Sequence, residues 1–262
     1  MNLAIVIDSF DEYSDIWPYF FRIFNKYWTD CKYPLYLVTN NKTYEGANVI
    51  KTGDEIDWVT RTKYAIESLD TKYVLLLLED YFIGKHVDSI EFDKLLSFVN
   101  DMDVKYLRLT NVPRSRFSKD NLFELYSDEE YAINLQASIW EKDYLLELLN
   151  SVNGNAWDFE VNLLKNAVES SVHVPMKGCY GVKKDPLKIR NGVLKGKWYP
   201  MTIIYYKLRN INILCDSRKI LPFWQYIRYI TMSWLRNHIP YSLRKFLKKI
   251  AVKIGVKFVS EY

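Results

Sequence analysis

Glycine is scarce in this chain, with nine in 262 residues. No GxGxxG, GxxxxGK[ST] or GxSxG occurs. That removes the usual dinucleotide fingerprint, the P-loop and the hydrolase nucleophile elbow. Cysteine is as sparse: Cys31, Cys179 and Cys215 stand far apart with no CxxC pair. Such usage fits a reduced, cytosolic chain without a zinc site. His86, His173 and His238 are equally scattered, so neither a catalytic triad nor a His-rich metal centre is expected. No uncharged apolar run of 18 residues is present, and no transmembrane helix is predicted. The start, "MNLAIVIDSF", lacks the basic region and long apolar stretch of a signal peptide and reads as a first strand.

Apolar and aromatic surface is what the chain has in quantity. Hydrophobic residues make up 49% and aromatics 16%, including 21 tyrosines and eight tryptophans, enough for a sizeable core in one large domain or one domain with an appendage. The formal net charge of +4 hides an asymmetry. Residues 203–262 hold 12 Lys and Arg against 2 Asp and Glu, a net of +10, leaving 24 basic and 30 acidic residues, a net of −6, in 1–202. The chain is an acidic body with a basic tail.

Buried-strand and amphipathic-helix patterns alternate along the body. "LAIVIDS" (3–9) predicts a strand ending on Asp8 and Ser9. Ile16, Phe20, Ile23, Phe24 and Tyr27 recur at helical spacing over 14–28, with Ser14 or Asp15 available as cap. Strands are expected at 33–40 and 47–53, and a helix at 57–69 with Val59, Ala65, Ile66 and Leu69 inward. "YVLLLLEDYF" (73–82) follows: a buried strand stopping on Glu79 and Asp80. Further on, a helix is predicted at 89–102, strands at 104–111, 131–140 and 171–176, and a helix at 141–152. Asn155 is placed to cap a helix from Ala156 that presents Trp157, Asp158 and Glu160 in its first turns. This order predicts an α/β fold with a mostly parallel central sheet flanked by helices. Ligands bind such sheets beyond the carboxyl ends of the strands, where Asp8, Asn40, Glu79 and Asp80 all fall. The paired acids have two readings there: a metal- or phosphate-handling site, or a plain turn.

The tail reads as two helices broken at Pro240. Over 242–258, Leu243, Phe246, Leu247, Ile250, Ala251, Ile254 and Phe258 form one stripe, with Arg244, Lys245, Lys248, Lys249, Lys253 and Lys257 largely elsewhere. A basic amphipathic helix of this kind suits an anionic membrane surface, and a helix packed on the body with a solvated basic face is the plainer alternative.

Taken in order, "SDIWPYFFRIFNKYWTDCKYPLYLVTN", "LLLLEDYF", "LQASIWEKDYLLELL", "WDFE" and "NGVLKGKW" resemble bacterial GT-A glycosyltransferases of the capsule and lipopolysaccharide biosynthesis type, over roughly residues 1–200. The resemblance implies a GT-A domain at 1–200 and a basic helical extension at 201–262. It implies transfer of a sugar from a nucleotide-diphosphate donor, preferably UDP-linked, to a glycan or lipid-linked oligosaccharide, with inversion. In that family a short acidic motif after the fourth strand binds Mn²⁺ or Mg²⁺, which steadies the leaving diphosphate. Here it reads Glu79-Asp80-Tyr81, with Tyr81 in place of a second Asp. Asp80 and Glu79 are the candidate metal ligands; a metal-free contact to ribose or donor sugar is the alternative.

The family's general base sits at the start of a late helix, where Glu160 is favoured over Asp158; both acids also suit the helix dipole. Trp157 and Gln136 are candidate acceptor contacts, or simply core residues. Asp8, Asp11 and Arg61 are candidate donor contacts. Lys195 and Lys197, around Gly196, would close over the diphosphate. The enzyme would be cytoplasmic and peripheral on the inner face of the membrane. Two other classes remain open. A nucleotidyl- or phospho-transferase would want a basic Gly-rich loop after the first strand, where "DSFDEYSD" stands. A non-catalytic module binding nucleic acid through the tail fits poorly with the acidic body, so no nucleic-acid partner is expected.

Overall fold

The computed structural model describes residues 2–54, 56–112, 114–115, 120–169 and 172–238, with the side chains of 166–169 and 235–238 excepted. The expected helix at 242–258 lies outside the described residues. The chain forms two compact units, Met1–Gly192 and Val193–Tyr262.

In the first unit, β1 (Leu3–Asp8) is buried at every residue, as a strand covered on both faces must be. A 3₁₀ turn (Asp11–Tyr13) leads into α1 (Trp17–Tyr27). Its apolar positions are those expected, but no side chain caps it, and Pro18 stands in its first turn instead. The Ser14 hydroxyl is taken by Lys42 Nζ at 2.7 Å. Then come β2 (Leu35–Thr39), β3 (Asn48–Lys51), α2 (Trp58–Glu67), β4 (Tyr73–Leu78), β5 (Tyr81–Phe82), α3 (Ser89–Asp101), β6 (Tyr106–Arg108), β7 (Leu122–Tyr126), β8 (Ser138–Glu141), α4 (Lys142–Asn150), α5 (Ala156–Glu169), β9 (Pro175–Val182) and β10 (Arg190–Asn191).

The main sheet has the order β3-β2-β1-β4-β8-β6-β9-β7. β1 pairs in parallel with β2 and β4, β2 with β3, and β6 with β9; β8 is antiparallel to β4 and β6, and β7 to β9. Six of the eight strands therefore run one way, as the α/β pattern predicts. The two reversed strands are β8 and β7. Among the described residues no helix lies between β6 and β8, and a parallel return from β6 would need a crossover. One face packs Ala4, Val6, Val74, Leu76, Tyr106 and Trp140 against Val59 and Ile66 of α2, Leu145 and Leu149 of α4, and Phe159 of α5. Tyr73, of opposite pleat parity, donates to the Val99 carbonyl of α3 on the other face. Trp28 just after α1 meets Phe92 of α3 edge to face.

In the second unit, β11 (Val193–Leu194) and β12 (Lys197–Trp198) pair as a hairpin. Lys195 and Gly196 form its turn with φ of 51° and 72°, the backbone that two-residue hairpins require. The expected loop at "NGVLKGKW" is thus a tight turn. α6 (Pro200–Lys207) and α7 (Phe223–His238) follow. Tyr226 and Tyr229 of α7 meet the Tyr199 ring.

Candidate active site

Strand order turns at β1. From β1 the chain moves through β2 to β3 on one side, and β4 lies on the other. Such a switch point opens a crevice at the strands' carboxyl ends. Asp8 there lies opposite Leu78, the residue before Glu79. Asp8 is buried, with its Oδ1 3.5 Å from Arg61 Nη2 and its Oδ2 accepting from the Thr62 hydroxyl at 2.9 Å. Burial pushes its carboxyl up, opposed by the Arg61 charge and the Thr62 hydroxyl. Arg61 is itself buried, so two candidate donor contacts answer each other beneath the rim. Asp11 is also engaged: its carboxylate accepts from the backbone amides of Asn40, Asn41 and Lys42, each at 3.0 Å. Asp11 N in turn donates to Asn40 Oδ1 at 2.9 Å. This clasp ties the loop after β1 to the end of β2.

At the end of β4 the two acids part. Glu79 is buried. Burial drives its carboxyl well above the ordinary range, the Asp80 and Asp8 charges push the same way, and the Ser9 hydroxyl pulls back. Ser9 also accepts from Trp17 Nε1 at 2.8 Å. Asp80 is half-buried. β5 continues from it and pairs with β10, Phe82 opposite Arg190 and Tyr81 opposite Asn191. Gly192 N donates to the Asp80 carbonyl at 2.7 Å. A Cβ on Gly84 would collide with the Lys188 carbonyl and approach Arg190 Nε to 3.3 Å, so the 187–192 segment lies directly on the strand end. Asp185 shapes that segment by accepting from the amides of Leu187, Lys188 and Ile189.

Tyr81 turns inward. Its hydroxyl donates to the Leu135 carbonyl at 3.3 Å and accepts from Gln136 Nε2 at 3.2 Å. The amide of the same Leu135 donates to Glu160 Oε1 at 2.8 Å. Contrary to the expected strand at 131–140, Gln136 is not on a strand; it precedes β8 (Ser138–Glu141). Asn134 Oδ1 accepts from Gln136 N at 2.9 Å, an Asx turn that takes this stretch out of the ladder. Burial raises the Glu160 carboxyl, and the Leu135 amide opposes it. Tyr81 is pushed up by burial and by the charges of Asp80, Glu160 and Glu79.

Asp158 does different work. Its Oδ2 accepts from Asn155 N at 2.9 Å, while Asn155 Oδ1 accepts from the amides of Trp157 and Asp158 at 2.9 and 3.1 Å. This is a reciprocal cap at the start of α5. Trp157 is 47% exposed beside it.

No family model and no curated protein matches this chain. Among solved structures, S. aureus TarS aligns over 98% of this chain and 46% of that chain, at 12% identity and a TM-score of 0.46. The cytidylyltransferase from Leptospira borgpetersenii aligns over 92% and 99%, at 14% identity and a TM-score of 0.40. The bifunctional IspDF from Campylobacter jejuni aligns over 62% and 47%, at 12% identity and a TM-score of 0.35. This chain thus spans about half the length of IspDF and of that TarS chain.

The fold brings Glu79, Asp80, Tyr81, Gln136 and Glu160 together, and sets Asp8 and Arg61 beside Glu79. Asp11 and Asp158 spend their carboxylates on backbone amides. Lys195, exposed, and Lys197, half-buried, belong to the second unit. Two neighbours of these residues lie outside the sequence expectations. Leu135 acts through its backbone, which no side-chain pattern reveals, and Ser9 meets Glu79 through its hydroxyl. Among the described residues no group of three or more His, Cys, Asp and Glu could hold a metal. A magnesium-like ion needs only one or two protein carboxylates when substrate phosphates complete its shell. Asp80 fits that need; Glu79 is turned inward.

Proposed function

We propose that this protein is a glycosyltransferase that moves a sugar from a nucleoside-diphosphate donor, UDP-linked by preference, to a hydroxyl of a glycan or lipid-linked oligosaccharide, as in surface-polysaccharide assembly. The observation that carries the proposal is Glu160: a carboxylate fixed by the Leu135 amide at 2.8 Å, linked through Leu135 and Tyr81 to the acids at the switch point. The crevice over β1 and β4 is where an α/β sheet takes a nucleotide. Asp80, with Mg²⁺ or Mn²⁺, would face the diphosphate, the ion supplying positive charge for the leaving group.

In the reaction, Glu160 accepts the acceptor's hydroxyl proton as that oxygen attacks the anomeric carbon. The bond from that carbon to the diphosphate oxygen breaks, and the nucleoside diphosphate leaves with the electron pair. Attack opposite the leaving group inverts the centre. A carboxylate raised by burial suits the base, because its proton affinity lies nearer the working pH. Gln136 and Trp157 stand on the acceptor side, one to hydrogen-bond a sugar hydroxyl and the other to stack on a ring. A nucleotidyl transfer is disfavoured by the residues after β1: Asp11, Glu12 and Asp15 occupy the stretch where such chemistry wants a basic loop.

A panel of nucleotide sugars, scored by thermal stabilisation with and without Mn²⁺, tests the donor class. Stabilisation by one UDP-sugar above UDP alone is expected. No shift with any nucleotide sugar, or stabilisation by CTP in preference to every nucleotide sugar, would overturn it.

A further inference from the structure

Exposed apolar side chains are not spread evenly. Among the described residues, twelve of the twenty large ones that are exposed fall between Met201 and Trp234. On α7 they follow a helical repeat. Phe223, Ile227 and Ile230 lie within one narrow stripe, with Trp224 on its flank; Phe223 and Trp224 are 73% and 63% exposed. Tyr226 and Tyr229 of the same helix meet the Tyr199 ring. α6 adds Met201, Ile204 and Leu208, at i, i+3 and i+7, all exposed. Monomers do not leave this much apolar surface in water without a use for it.

The charge around these residues says what covers them. From Ser217 to Ser260 the sequence has ten Lys and Arg and no Asp or Glu. A protein partner, or a second copy of this chain, would set that charge against itself or need a matching acidic face. An anionic bilayer offers both negative charge and an apolar interior, and its interface is where Trp and Phe rings settle. No described helix is long and apolar enough to cross a membrane, so the contact lies along the surface. We propose that the α7 stripe of Phe223, Trp224, Ile227 and Ile230 docks on an anionic lipid surface, which the basic excess of the sequence around it favours. This extends the membrane contact expected for 242–258 to a helix among the described residues. It holds whether or not the site transfers sugar.

The full-length protein is mixed with vesicles of phosphatidylcholine, with and without roughly one third phosphatidylglycerol, and floated on a gradient. Binding to the anionic vesicles alone, weakened by salt, is expected. Phe223→Ser/Ile227→Ser/Ile230→Ser should weaken it about tenfold or more, since each side chain contributes apolar transfer to the interface. Its donor-induced thermal stabilisation should match the parent's, which reads the site separately and reports folding. No binding by the parent protein overturns the proposal. So does binding that the triple variant keeps in full, which would leave the lysines acting alone. A dimer that the triple variant breaks, without vesicle binding, would assign the stripe to a second copy and overturn it too.

Discussion

Removing the Arg61 guanidinium should expose how much the rim depends on one buried ion pair. The Asp8 side chain is fully buried and that of Arg61 8% exposed, with 3.5 Å between charged atoms. Arg61→Met keeps much of the apolar stem and deletes the charge. The Asp8 carboxylate would then be left with the Thr62 hydroxyl and the Trp58 indole as polar partners. Breaking a buried pair from one side costs about 3–5 kcal/mol, because the surviving charge stays desolvated. For a chain of this size that is roughly 6–20 °C in Tm. The cost should depend on pH, and its sign follows from Asp8. Burial already raises its folded-state carboxyl above the ordinary value, and Arg61 is the largest opposing influence. Without Arg61 it rises further. A group whose folded pKa is raised stabilises most below its unfolded value, and that stability is lost as pH climbs through the folded one. The gap between parent and variant should therefore be small in acid, where the carboxyl is protonated, and widen as pH rises through its raised folded-state value. Urea denaturation across a pH series measures it. Arg61→Met/Asp8→Asn should recover most of the loss, since no buried charge remains. A gap independent of pH, or a double variant no more stable than the single, would refute the reasoning that Arg61 neutralises Asp8.

Three further outcomes concern the site. Glu160→Gln should lower kcat about 10²- to 10⁴-fold while leaving donor-induced thermal stabilisation intact. In the parent enzyme kcat should rise with pH through a pKa above the ordinary carboxylate range, as the buried Glu160 loses its proton; a limb at the usual value of free glutamate would separate Glu160 from the base. Asp158→Ala should cost about 1 kcal/mol through the lost cap, read as about 2–4 °C in Tm, with kcat nearly unchanged. Tyr81→Phe leaves the Leu135 carbonyl and Gln136 amide without its hydroxyl, costing about 1–3 kcal/mol; single-turnover kinetics should show slower transfer with unchanged donor affinity.

The helices and the parallel half of the sheet were legible because burial writes a period into the chain. Ile16, Phe20, Ile23, Phe24 and Tyr27 are spaced for one face, and all are buried. Leu75 to Leu77, apolar on both faces, could only be a covered strand. The antiparallel insertion of β8 was not legible, since an apolar run carries no direction. Gln136 looked like a strand residue because "NLQASIW" alternates, but the Asx turn of Asn134 and the bond from Leu135 to Glu160 take its backbone out of the ladder. At the site, the acids were visible as residues and not as partners. That Asp11 would bind three amides across 29 to 31 residues, or that Arg61 would be buried against Asp8, depends on which strand ends meet.

The bond that orients Glu160 comes from the main chain of Leu135. Nineteen of the twenty amino acids supply that amide, so the side chain at 135 answers to the core that buries it and not to the carboxylate its backbone holds. A comparison of sequences would score it as an ordinary apolar position. Proline alone deletes the donor, and its absence at this position in an active homologue is the trace such a constraint would leave.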